Sequence, residues 1–169
     1  MLIKWEEVGN LISLEIKLIN CKQILMLIGE YTHIIDDKNR LSLPAKFRSE
    51  LGKKIVVTQG LDNCLWIFKR VEWEKIEQKL NLSSIGQADN RSFNRLMFSS
   101  AVEAEVDSIG RILVPEFLRD RANLKSKVVV IGVSSRVEIW NEKAWSEYKK
   151  VVEKQADTLA EKLGQVGVL

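Results

Sequence analysis

Two short stretches of the chain set an aspartate, a turn-forming residue and an arginine at one spacing: Asp36-Asp37-Lys38-Asn39-Arg40 and Asp107-Ser108-Ile109-Gly110-Arg111. An arginine guanidinium is a planar fork of donors that fits the O6/N7 edge of guanine or a phosphate, and lysine acts as a phosphate point charge. The aspartate four residues earlier can accept backbone N–H groups as an Asx-turn and pair with the arginine. Asn39 and Gly110 hold equivalent places, and these residue types most readily adopt a positive φ. From the turn chemistry alone two readings stand: a surface turn stapled by an ion pair of little energetic worth, or an arginine held ready for a polyanion.

Other chemistries lack their residues. His33 is the one histidine, and Cys21 and Cys64 lie far apart, so neither a zinc site nor a disulfide framework has its ligands. No G-x-S-x-G, P-loop or G-x-G-x-x-G stretch occurs. No catalytic residue, metal, cofactor or small-molecule substrate is therefore expected, and His33 is read as structural. The net charge of +3 permits a polyanionic partner without arguing for one. Residues 36–54 alone carry Lys38, Arg40, Lys46, Arg48, Lys53 and Lys54 against Asp36, Asp37 and Glu50, a local +3 equal to that of the whole chain. No apolar run approaches the ~18 residues of a membrane span, so the expected location is cytoplasmic.

The elements that position these turns are written twice. DDKNRLSLPAKFR at 36–48 matches DSIGRILVPEFLR at 107–119, with Asp36, Arg40, Pro44 and Arg48 falling on Asp107, Arg111, Pro115 and Arg119. Tyr31, His33 and Ile35, and likewise Val102, Ala104 and Val106, alternate with the period of a half-buried strand. After each turn comes a strand at 40–43 or 111–114. A short helix follows from Pro44 to Leu51 or from Pro115 to Ala122, proline supplying a φ suited to its first turn. Strands near 54–58 and 65–68, repeated near 127–131 and 136–140, lead to a closing helix. Arg48 and Arg119 fall in the short helices and are read as scaffold charges. Trp73 and Trp145 recur at equivalent places and are read as core or interface.

At these repeated turns the sequence resembles the MraZ family, bacterial regulators encoded at the head of a division and cell-wall gene cluster. The resemblance runs from Met26 to the carboxyl terminus and rests on both Asp-x-x-x-Arg motifs with their downstream prolines and on Trp73 in Val71-Glu72-Trp73-Glu74. It implies an α+β fold: tandem AbrB-like swapped-hairpin units forming a pseudo-dimer within one chain, with short helices and a long C-terminal helix. It implies a homo-oligomer, a ring, that binds double-stranded DNA upstream of its own operon, mostly repressing it, and is nucleoid-associated. DNA contact carries over to Lys38, Asn39, Arg40 and Arg111, and turn stabilisation to Asp36, Asp107 and Gly110. Asn39 stands where the family has glycine, and Ile109 makes the second turn less basic than the first.

The corresponding division is 26–80 for the first unit, 81–98 for a linker and a helix capped by Asp89, 99–140 for the second unit and 141–169 for a C-terminal helix. That helix is expected to run from an Asn141 cap to about Leu163, its apolar stripe packing on its own domain or on a neighbouring subunit. Residues 1–25 are an N-terminal extension or leader DNA translated from an upstream start. Trp5-Glu6-Glu7-Val8-Gly9 back-translates to TGG GAR GAR GTN GGN, which holds TGGG twice, ten nucleotides apart, when Val8 is GTG. TGGG-type repeats about one helical turn apart are what the resembled family recognises, although every Trp-Glu pair gives TGGGA by coincidence. If translated, Leu11 to Ile16 has the content of an edge strand. A second class of function stays open: an antitoxin-like or scaffold protein acting through protein–protein binding.

Overall fold

The computed structural model describes residues 26–168. The expectations placed on residues 1–25 lie outside the described residues. The first copy consists of β1 (Leu27–Ile34), β2 (Arg40–Ser42), α1 (Ala45–Leu51), β3 (Lys54–Gln59), β4 (Leu65–Lys69) and α2 (Arg70–Asn81). Helix α3 (Ala88–Ser100) joins it to the second copy, β5 (Val102–Glu105), β6 (Arg111–Leu113), α4 (Glu116–Arg121), β7 (Lys127–Ser134), β8 (Arg136–Asn141) and α5 (Glu142–Lys154), which α6 (Ala156–Gln165) follows.

The strands do not pair within their own copies alone. The six-stranded antiparallel sheet runs β1-β7-β8-β4-β3-β5, so the first strand of each copy lies against the third strand of the other. The series is the same from either edge, which is a pseudo-twofold axis between β4 and β8. Strands β2 and β6 form a separate antiparallel ribbon, Leu41 opposite Ile112. Each copy has thus exchanged its opening strand-turn-strand with the other, and the chain is a pseudo-dimer of swapped hairpins.

Packing accounts for the exchange. Strands β3, β4 and β7 are largely apolar on both faces, as befits strands covered on both sides, whereas the outer face of β8 carries a buried carboxylate, Glu138, that accepts from Arg136 and Trp140. The inner face of these strands, Ile55, Val57, Leu65, Ile67, Val128, Val130, Val137 and Ile139, meets Leu41 and Ile112 beneath the ribbon and Phe47, Leu51 and Leu118 of α1 and α4 in one core. Leu41 and Ile112 are 0% and 1% exposed, and burial of such a side chain stabilises by about 1.5–3 kcal/mol. The outer face is covered in two halves. In one, Val56 and Phe68 pack with Trp73 and Met97; in the other, Val129, Ile131 and Trp140 pack with Trp145. Trp73 is therefore a core residue, and Trp145 is a half-buried one packed against the second cluster.

Three local features differ from the sequence reading. Pro44 and Pro115 stand at the N-caps of α1 and α4, with ψ 138° and 140°, and the helices begin one residue later. The N-cap of α3 is Gln87, and Asp89 lies inside its first turn. Asn141 caps α5 as expected, its side chain accepting from the Lys143 and Ala144 N–H groups. In place of one long helix, however, the segment breaks at Gln155 (φ −107°, ψ 4°) into α5 and α6. No proline or glycine stands at the break. Neither helix has a buried residue, so a break there sacrifices little packing. Among the described residues no helix is long and apolar enough to cross a membrane.

Candidate nucleic-acid interface

The two Asp-x-x-x-Arg turns fold alike, bond for bond. In the first, Asp36 Oδ1 accepts the N–H groups of Lys38 (3.0 Å) and Arg40 (2.8 Å), and the Asn39 N–H donates to the Asp36 carbonyl at 3.0 Å. In the second, Asp107 Oδ1 accepts from Ile109 (3.0 Å) and Arg111 (2.8 Å), and the Gly110 N–H donates to the Asp107 carbonyl at 2.9 Å. The residue that closes each turn has a positive φ, 60° at Asn39 and 84° at Gly110. That conformation is why asparagine and glycine serve there.

The second carboxylate oxygen holds the arginine. Arg40 Nε donates to Asp36 Oδ2 at 2.8 Å and Nη2 lies 2.7 Å from the same oxygen; Arg111 Nε donates to Asp107 Oδ2 at 2.8 Å. The Arg40 side chain holds the Asp36 carboxyl below the ordinary carboxylate range, and Asp36 in turn raises the guanidinium. Asp107 is lowered likewise, first by the Arg111 backbone N–H. An arginine whose fork is fixed by a carboxylate has less rotamer entropy to lose when it meets a ligand.

The ribbon places the two arginines together. In its register Arg40 lies opposite Leu113 and Ser42 opposite Arg111. Arg40, Ser42, Arg111 and Leu113 therefore share one face, with Leu41 and Ile112 turned into the core. Diagonal neighbours of this kind are about 7–8 Å apart. Both arginine side chains are about one third exposed, 32% and 29%. Lys38 flanks the face at the first turn and Ile109, 59% exposed, at the second. Arginines 71 residues apart in sequence thus form one two-pronged surface, which neither turn read singly could reveal.

Sequence reasoning left Arg48 and Arg119 as scaffold charges, and the structure gives each a definite post on the opposite turn. Arg48, from α1, donates through Nε to the Leu43 carbonyl at 2.8 Å and through Nη1 to the Ile109 carbonyl at 3.0 Å. Arg119, from α4, donates through Nη1 to Asn39 Oδ1. Their equivalence across the repeat was the available signal; the exchange of hairpins, which sends each to the other copy, was implied by the resemblance but not by the residue pattern itself. His33 lies in β1, and burial together with the nearby Arg48 charge lowers its basicity. Among the described residues no group of histidine, cysteine and carboxylate side chains is placed to hold a metal.

Fold and site together define an α+β protein of the AbrB-like swapped-hairpin class, its two units fused in one chain. The family model described as "MraZ protein, putative antitoxin-like" matches this chain twice, over residues 26–96 and 97–165. Among named relatives, the transcriptional regulator MraZ of Moorella thermoacetica is 51% identical over 82% of this chain and 96% of its own. Those of Caldanaerobacter subterraneus subsp. tengcongensis and Thermoanaerobacter sp. (strain X514) are 47% and 46% identical, each over 85% of this chain and 100% of their own. The chain belongs to the MraZ family.

Proposed function

We propose that this protein is a sequence-specific regulator of transcription that reads double-stranded DNA with the β2/β6 ribbon and has no catalytic role. The observation that carries the reading is the pair of acid-held arginines, Arg40 and Arg111, on one face of a two-stranded ribbon. A ribbon is narrow enough for the major groove, ~12 Å wide. Arginines about 7–8 Å apart address positions some two base-pair steps apart at ~3.4 Å per step. Each can fork onto guanine O6 and N7, with Lys38 on a neighbouring phosphate and Asn39 shaping the turn beside it. Named relatives are transcriptional regulators, which supports the same assignment.

The target is a set of TGGG-type repeats upstream of the protein's own division and cell-wall operon, and binding there represses it. One ribbon gives modest, salt-sensitive affinity, because phosphate contacts release counterions. A ring of identical subunits engages several repeats at once and converts weak readers into tight binding. In the cell this places the protein in the cytoplasm on the nucleoid.

A gel shift on the native upstream region tests the reading. The parent protein is expected to bind, and Arg40→Ala to bind about 5- to 150-fold more weakly, since a bidentate arginine–guanine pair is worth ~1–3 kcal/mol. Arg111→Ala is expected to lose less, because its turn lacks a lysine. Unchanged affinity in Arg40→Ala would remove the proposed role of that residue. A parent protein that binds no DNA would instead favour an antitoxin-like protein-binding role, a reading supported by the family's description as antitoxin-like.

A further inference from the structure

The two reading turns are not held by their own copies alone. The α1 arginine of the first copy, Arg48, reaches the carbonyl of Ile109 in the second turn. Its aliphatic stem lies against Gly110 so closely that a Cβ there would fall 2.1 Å from Arg48 Cδ. The α4 arginine of the second copy, Arg119, reaches the side chain of Asn39 in the first turn. Backbone bonds run the same crossed way: the Leu43 N–H donates to the Gly110 carbonyl at 3.0 Å, and the Val114 N–H to the Asn39 carbonyl at 2.9 Å.

The two braces differ in one chemically informative respect. Arg48 spreads its donors over two carbonyls, Leu43 and Ile109. Arg119 Nε is buried with no acceptor, and Nη1 goes to a side-chain oxygen that glycine at position 39 could not provide. Asn39 thus has two duties, the positive φ of the turn and the acceptor for Arg119. A buried donor without an acceptor is costly, so the bond to Asn39 is what offsets the burial of this guanidinium.

We propose that Arg119 and Arg48 are crossed positioning residues: Arg119 fixes the turn that presents Arg40, and Arg48 fixes the turn that presents Arg111, neither touching DNA itself. Each copy's short helix then sets the aim of the other copy's arginine, and the two prongs of the ribbon are locked at a fixed spacing. The inference rests on the ribbon being the DNA reader for its consequence, but the bracing itself is a property of the free protein.

Two measurements on the full chain test it, with Arg119→Met and Arg48→Met as variants that keep the stem and remove the donors. The first is amide hydrogen exchange without DNA. Arg119→Met is expected to speed exchange at Lys38, Asn39 and Arg40 about tenfold while leaving Ile109, Gly110 and Arg111 unchanged, and Arg48→Met to do the reverse. Faster exchange at both turns in either variant, or at the turn of the same copy, overturns crossed bracing. The second is a double-mutant cycle read by fluorescence anisotropy on the upstream duplex. Arg119→Met is expected to weaken binding about tenfold alone and less than twofold once Arg40 is alanine, yet still about tenfold once Arg111 is alanine. Arg48→Met is expected to mirror this, coupling to Arg111 and not to Arg40, and Arg119→Lys to recover part of the loss. Additive losses in the Arg40/Arg119 pair would mean that Arg119 contacts DNA directly, and would overturn the proposal. If the parent protein binds no DNA, the reading above fails, while the exchange pattern still decides the bracing.

Discussion

At the residue scale the turn is built so that one aspartate performs two tasks, Oδ1 on the backbone and Oδ2 on the arginine. Asp36→Asn separates them. The amide oxygen can still accept from Lys38 and Arg40 N–H, but its NH2 faces the guanidinium, so Arg40 is released while the turn persists. Because an exposed ion pair adds little stability, the melting temperature should shift by only a few degrees, whereas affinity for the upstream duplex should fall about tenfold, as a loss of orientation. Gly110→Ala is a different lesion: at φ 84° a side chain is strained by roughly 1–2 kcal/mol, and Arg48 must move. Urea unfolding should show that loss, and DNA binding should weaken with it. The carboxylates also set an acid limit. Asp36 and Asp107 have lowered folded-state values, so their stabilisation is present above the ordinary aspartate value of 3.8 and is lost as the pH falls through the lowered ones. His33 acts in the same sense from higher pH. Burial makes its protonation unfavourable in the fold, so stability should begin to decline below the ordinary histidine value of 6.5. Urea midpoints measured across the pH range should show that first decline in the parent and not in His33→Gln.

At the element scale the ribbon has no independent existence, because among the described residues the ladder of β2 is made with β6 and that of β1 with β7, both from the other copy. Truncating Leu41 or Ile112 to alanine removes a fully buried side chain where ribbon and sheet meet and should cost ~2–5 kcal/mol in denaturant unfolding. A chain ending after α2 should yield no folded monomer by sedimentation: it must either unfold or borrow the missing strands from a second copy. Much of this layer was legible beforehand. The period-two strands, the turns with Asn39 and Gly110 and the repeat itself are local patterns, written in residue types that φ and burial dictate. The exchange of strands was not derivable from pattern alone. Val56 and Val129 satisfy the same apolar rule whether β3 lies beside β1 or β5, and only the MraZ resemblance pointed to the swap. The break at Gln155 was equally invisible, since the apolar stripe from Trp145 to Leu163 continues across it without proline or glycine.

At the scale of the whole molecule, two copies of one unit give two prongs related by a pseudo-twofold axis, and small differences between them assign unequal work. Lys38 accompanies Arg40, where Ile109 accompanies Arg111, so the first turn should carry the larger share of both affinity and salt dependence. The contacts of Arg48 and Arg119 escaped notice because their partners lie in the other copy, at separations of 61 and 80 residues that no local motif spans. The central claim is that Arg40 reads guanine. It is tested most directly by replacing guanines of the upstream repeats, one at a time, with 7-deazaguanine, which removes only the N7 acceptor. The parent protein should lose about two- to tenfold in affinity at one guanine per bound ribbon half, the loss of one of the two bonds of a pair worth ~1–3 kcal/mol. Arg40→Ala should be indifferent to the same substitution. If Arg40→Ala loses as much as the parent at every position, Arg40 does not read the base and the ribbon recognises guanine by other residues or not at all.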